Sequence, residues 1–168
     1  MARWTRWTLG VSCLLGLGLA AYVYAISPAR VPVHFGWSGA PDRWGTPLEL
    51  LSVHACVISF ATALFSSLPQ LIRWAPAALI NLPNKQYWLT PENREIAAAK
   101  FAGWSNIMGT AINGLMIALQ LLLWPSRVSN DSAPSLGFWF VLVTFVAFTV
   151  CWCAWLIAAY RLPTRATK

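Results

Sequence analysis

Four uninterrupted apolar runs, at 9–26, 50–72, 101–124 and 136–160, constrain this chain more than any motif it contains. A helix needs about 20 apolar residues to cross a bilayer, with a range of about 17 to 25, and each run meets that length. The runs are continuous, which makes a membrane barrel the weak alternative, since its strands are short and alternate apolar with polar residues. Composition closes the soluble options. Hydrophobic residues make up 58% of the 168 and charged residues 10%, where a soluble domain carries about 25% charged residues. Disorder requires the opposite balance. The sequence therefore predicts an all-α, integral membrane four-helix bundle, a single membrane domain over 1–168, with an ordered outer loop at 27–49 and an inner loop at 73–100.

Lys and Arg near the span ends set the expected orientation. Arg3, Arg6, Arg73, Lys85, Arg94, Lys100, Arg161, Arg165 and Lys168 fall on one side, and Arg30, Arg43 and Arg127 on the other. Nine against three predicts both termini in the cytoplasm of a multi-pass inner-membrane protein. Trp4, Trp7, Trp37, Trp44, Trp74, Trp88, Trp124 and Trp139 lie near the predicted interfaces, where an indole buries its ring and wets its N–H. The net charge of +7 is scattered between apolar runs and forms no basic stripe, so nucleic acid is not an expected partner. Cys13, Cys56, Cys151 and Cys153 all fall inside apolar runs and read as packed small hydrophobes.

The N-terminus admits two readings. Arg3 and Arg6, an apolar stretch and then Val23-Tyr24-Ala25 have the outline of a cleavable signal peptide. Ser12, Gly16 and Ala20, however, form a small-xxx-small stripe that lets another helix approach closely. A signal peptide has no use for such a stripe, so the first run reads as a retained anchor.

The outer loop is rich in chemistry. Pro28, Pro32, Pro41 and Pro47, with Gly36, Gly39 and Gly45, argue for a fixed, turn-rich structure. Val31-Pro32 should be extended, and Gly39 and Gly45 suit positive φ. His34, Phe35, Trp37 and Trp44 are more than a solvated tether needs, so the loop is expected to fold back onto the bundle mouth. Val31-Pro32-x-His34-Phe35, followed by Gly39-x-Pro41-Asp42-Arg43-Trp44-Gly45, resembles the bacterial membrane domain of unknown function at the N-terminus of the SdpI family. The resemblance takes in the following spans to Trp124 and the second loop around Leu82-Pro83-Asn84-Lys85 and Tyr87-Trp88-Leu89. It implies a shared membrane domain and, for the outer loop, a part in recognising a factor outside the membrane. The chain departs from the family at Ser27, where Leu is frequent, and at Thr46-Pro47, where a basic residue is frequent. It also has fewer spans than the immunity protein that gives the family its name.

Candidate recognition residues in the outer loop are therefore Pro32, His34, Phe35, Gly39, Pro41, Asp42, Arg43 and Trp44. His34, Asp42, Glu49 and His54 are zinc-competent types, but their spacing fits no ligand signature. Glu49 and His54, five apart on a helix, point about 140° from one another. No cofactor is expected, and a metal at these four is the branch a chelator tests. His54 lies inside a span, where an ionisable group is a functional candidate by default; the bland alternative is a neutral histidine bonded to a neighbouring helix. Asn106, Asn113 and Gln120, seven apart, share one face of the third span with Gly103 and Thr110. That face either lines a path or bonds to other helices, and the small enclosed volume of four spans favours bonding.

In the inner loop, Pro69 and Pro76 should bend the chain away from the second span. Thr90-Pro91-Glu92 reads as a helix start running directly into the third. Asn84, Lys85, Tyr87 and Trp88 before it are candidates for docking a partner or, more commonly, for anchoring at lipid headgroups. Nucleophile elbow, P-loop and HExxH motifs are absent, so a non-enzymatic role is expected. The leading expectation is a sensor or immunity-type protein; transport and a structural subunit are the alternatives. Expected partners are the lipid bilayer, a peptide or protein ligand outside, and further copies of the chain.

Overall fold

A computed structural model describes residues 2–36, 41–128 and 136–162. The order is α1 (Ala2–Ile26), β1 (Val31–Phe35), β2 (Pro41–Gly45), α2 (Pro47–Trp74), a 3-10 turn (Ala77–Leu79), α3 (Lys85–Trp88), α4 (Arg94–Val128) and α5 (Leu136–Ala159). Helices α1, α2, α4 and α5 are each long and apolar enough to cross a membrane. The protein is an all-α membrane bundle with one small sheet between its first two spans.

The bundle is three-plus-one. Helices α1, α2 and α4 pack against one another, while α5 lies on α4 and has no comparable contact with α1 or α2. No residue of α5 is buried. The three-helix core closes on glycines. A methyl group at Gly16 would stand 2.8 Å from Ile58 Cδ1, and one at Gly109 would stand 2.9 Å from Leu9 Cδ1 and 3.0 Å from Phe65 Cβ. Lipid gives helices no hydrophobic reason to associate, so close backbone approach and interhelical hydrogen bonds do the holding. The small stripe of α1 serves this contact: Gly16 and Ala20 are both buried in it.

The hydrogen bonds run along the polar face of α4. Asn106 Nδ2 donates to Thr5 Oγ1 at 3.3 Å, and Asn113 Nδ2 donates to Ser12 Oγ at 3.2 Å and Thr62 Oγ1 at 3.0 Å. Ser105 donates to the Phe65 carbonyl. Asn106, Asn113 and Gln120 are all buried, in agreement with the interhelical reading of their spacing.

The first loop is a β-hairpin, more regular than the turn-rich segment expected. Strands β1 and β2 pair antiparallel, with Val31 opposite Gly45, Pro32 opposite Trp44, His34 opposite Arg43 and Phe35 opposite Pro41, and with irregularities on either side of His34. Both strands are edges, which is where proline is tolerated in a sheet. The hairpin does fold back on the bundle: Val31 and Pro32 are fully buried, and Val31 clusters with Val23 and Leu50 under Leu19, Val33 and Trp124. Gly45 is needed for proximity and not for positive φ, since a methyl there would collide with Glu49 and stand 2.9 Å from Val33 Cγ1. Gly39 and Trp37 lie outside the described residues.

Helix α2 starts at a Thr46 cap, whose hydroxyl accepts from Glu49 N at 3.2 Å, with Pro47 in the first turn. Pro69 lies inside it. The helix continues to Trp74 and stops at Ala75, the residue before Pro76, which must be extended. Arg94 then covers the open end, donating to the carbonyls of Ile72 and Ala75. The start of α4 also differs from expectation. Its helix begins at Arg94, and Thr90 is no cap: its hydroxyl donates to the Tyr87 carbonyl at 3.3 Å. The cysteines correct another reading. Cys56, Cys151 and Cys153 are exposed on outward helix faces and Cys13 is half-buried, so they are not core packing.

The glycine contact carries its own control. Gly16→Ile should lower the thermal midpoint in detergent, at a cost of about 1–3 kcal/mol for overpacking. Gly18→Ile, where an added carbon meets nothing within 4 Å, should leave it in place.

Candidate functional site

The hairpin brings together residues that the chain order separates by about a hundred positions. A cavity of about 440 Å³ opens between it and the start of α5, lined by His34, Phe35, Gly36, Asp42, Phe138, Trp139 and Leu142. The irregular pairing around His34 turns its ring toward Asp42, the neighbour of its register partner Arg43. His34 Nδ1 lies 2.6 Å from Asp42 Oδ1. An ionised carboxylate only accepts, so Nδ1 carries the proton and Nε2 is the end left to act on something else. Phe138 and Trp139 form the facing wall, edge to face with centroids 5.3 Å apart.

The pair is a solvent-side feature. Its side chains are 65% and 51% exposed, so it adds little to stability. Arg43 is occupied elsewhere, with Nη1 2.7 Å from Glu49 Oε1. That ion pair ties β2 to the first turn of α2. His54 is buried in α2, and its Nδ1 donates to the Leu50 carbonyl of its own helix at 2.8 Å. Among the described residues no group of three His, Cys, Asp or Glu is placed to hold a metal.

The sequence-predicted residues thus divide. His34, Phe35 and Asp42 line the cavity. Pro32 is buried structure, Pro41 and Trp44 shape the hairpin, and Arg43 braces it. Phe138, Trp139 and Leu142 were missed as partners, because nothing local to residue 139 points to residue 34. Trp139 gave half of the signal, as an aromatic at a span end.

At the opposite end of the bundle, the second loop is a latch. Asn84, at φ 54°, and Trp88 both donate to the Tyr160 carbonyl, from Nδ2 and Nε1, each at 2.9 Å. The Tyr160 hydroxyl donates to the Ala97 carbonyl at 2.7 Å. Lys100 Nζ sits 4.9 Å from the centre of the Trp88 ring and donates to the Ala159 carbonyl. Trp88 is therefore no headgroup anchor: it is buried with its N–H bonded to protein. Lys85 and Tyr87 remain exposed. Arg73 grips Glu95 through two bonds, at 2.8 and 2.6 Å, bracing α2 against α4 at the same end.

Residues 11–55 match the model of a domain of unknown function, DUF1648. The match takes in most of α1, the hairpin and the first turns of α2, a shorter stretch than the resemblance drawn from the motifs. Neither a curated protein nor a solved structure matches the chain.

Two outcomes follow for the purified protein in detergent. His34→Ala and Asp42→Asn should each shift stability by less than about 1 kcal/mol, as exposed pairs do. Val31→Ala should cost about 2 kcal/mol through lost burial. Adding a chelator should leave all three melting curves where they were.

Proposed function

We propose that this chain is a non-enzymatic bacterial inner-membrane protein, a sensor or immunity-type protein of the SdpI kind, which recognises an extracytoplasmic factor at the hairpin. The observation that carries this reading is the cavity itself: a polar pair and an aromatic wall, drawn from two distant segments, at the mouth of a bundle. Ligand sites are typically concave and largely apolar, with a few placed polar groups. The match of residues 11–55 to a domain model that includes the hairpin supports the view that it is more than a connection. The excess of Lys and Arg at the opposite end supports a cytoplasmic location for both termini and an external one for the hairpin. A peptide or small protein is the expected ligand, and the bare faces of α5 are compatible with self-association.

Transport is the second reading, favoured by one observation. Asn113 Oδ1 and Gln120 Nε2 are buried without a protein partner, and costly polar groups facing a bundle interior mark substrate or ion pathways in membrane proteins. The packing between them argues the other way. Ile58 is fully buried there and meets Gly16, with Ile117 3.5 Å from the same point. An aliphatic layer thus separates the two polar levels, which fits two isolated water sites better than a continuous path.

The test is survival. A sensitive bacterium expressing the chain should tolerate at least one of a panel of secreted peptide toxins about tenfold better than a strain without it. Asp42→Asn and Trp139→Ala should remove that protection at equal protein level, while Asn113→Ser should retain it. Protection that depends on Asn113 and ignores the hairpin would favour transport.

A further inference from the structure

We propose that the cavity between the hairpin and α5 binds an organic cation, an ammonium or guanidinium group carried on an apolar body. The proposal rests on the recognition reading above and gives its ligand a chemical class.

The charge balance of the lining decides the class. Among the described lining residues Asp42 supplies the only carboxylate, and none is Lys or Arg. The nearest guanidinium in sequence, Arg43, is held by Glu49 at 2.7 Å. His34 is bonded through Nδ1 at 2.6 Å to the Asp42 carboxylate, the negative charge of the described lining. The first turn of α5 offsets this by at most about half a positive charge. An anionic ligand would therefore meet the Asp42 carboxylate and, among the described lining residues, no Lys or Arg.

The remaining lining is Phe35, Gly36, Phe138, Trp139 and Leu142. Aromatic faces attract cations through their quadrupole, tryptophan most strongly. A carboxylate beside three aromatic rings suits a cation better than it suits a neutral molecule, which would use the rings and leave the charge idle. At about 440 Å³ the cavity is far larger than a bare ammonium, and its apolar lining asks for hydrocarbon attached to the charge. Such a group comes either from a soluble amphiphile or peptide, or from the ammonium headgroup of a bilayer lipid.

The experiment is calorimetric titration of the full chain in a neutral maltoside detergent with hexyltrimethylammonium, hexanol and hexyl sulfate. The expected result is saturable binding of the cation, with both other probes at least about tenfold weaker. Asp42→Asn and Trp139→Ala should each weaken the cation about tenfold or more, and Trp139→Phe, which keeps a ring, should retain most of the affinity. Melting curves establish that each variant is folded, and Trp139→Leu, which also lacks a ring, stands in if Trp139→Ala is not. Equal binding of hexanol, preference for hexyl sulfate, or unchanged affinity in Asp42→Asn would each overturn the proposal. Repeating the titration in nanodiscs separates the sources. Weaker apparent affinity with phosphatidylethanolamine than with phosphatidylglycerol alone identifies the lipid ammonium as a competitor, and equal affinity identifies a soluble cation. Toxin protection without cation binding would sink this inference and leave recognition standing. Cation binding without protection would do the reverse.

Discussion

Three helix backbones approach as closely as they do because two positions carry no side chain. Gly16 and Gly109 let Ile58, Leu9 and Phe65 enter space that a single methyl would close. Inside hydrocarbon this proximity replaces the hydrophobic effect as the organising force, since lipid tails and leucine side chains are equally apolar. It also brings Asn106 and Asn113 within reach of Thr5, Ser12 and Thr62, so that packing and hydrogen bonding reinforce one another. The hairpin depends on this core in turn. A two-stranded ribbon is marginal by itself in water; here Val31 and Pro32 are sunk beside Val23 and Leu50, and the ribbon takes its rigidity from them.

Much of the architecture was legible because membrane physics leaves few choices. Run length gave the four spans, the small residues of α1 marked the helix contact, and the spacing of Asn106, Asn113 and Gln120 identified one face of α4. What stayed hidden was long-range. That Trp88 bonds the Tyr160 carbonyl, and that His34 and Trp139 share a cavity, depends on how helices pack, which no window of sequence contains. Local rules also misled where tertiary contacts outbid them. Thr90 reads as a cap, yet its hydroxyl turns back to Tyr87. Gly45 reads as a positive-φ position, yet it is required by the closeness of Glu49 and Val33.

The polar residues sort by depth into different kinds of work. At the core levels Ser105, Asn106 and Asn113 bond to neighbouring helices, while one atom each on Asn113 and Gln120 is left without a partner. Those at the basic end close the chain on itself, with Asn84, Trp88, Lys100 and Arg94 all donating to backbone carbonyls near helix ends. Only at the hairpin end do a histidine and a carboxylate stand in the open with an aromatic surface before them. Binding chemistry is concentrated where structural demand is lowest.

Helix α5 has an uneven attachment. Its C-terminal half is fastened to α4 by Trp152 Nε1, which donates to the Trp104 carbonyl at 3.0 Å, by the Trp104–Trp155 ring contact, and by Tyr160 beyond its end. Its N-terminal half instead stands off from α4 across an apolar cleft of about 280 Å³, floored by Ala111, Gly114 and Ala118. The helix is thus a rod of 24 residues, about 36 Å long, clamped near one end and cantilevered toward the other. Its loose end is the wall that carries Phe138 and Trp139. A lateral load applied at that end would therefore bear on the tryptophan clamp and bypass the glycine-packed core.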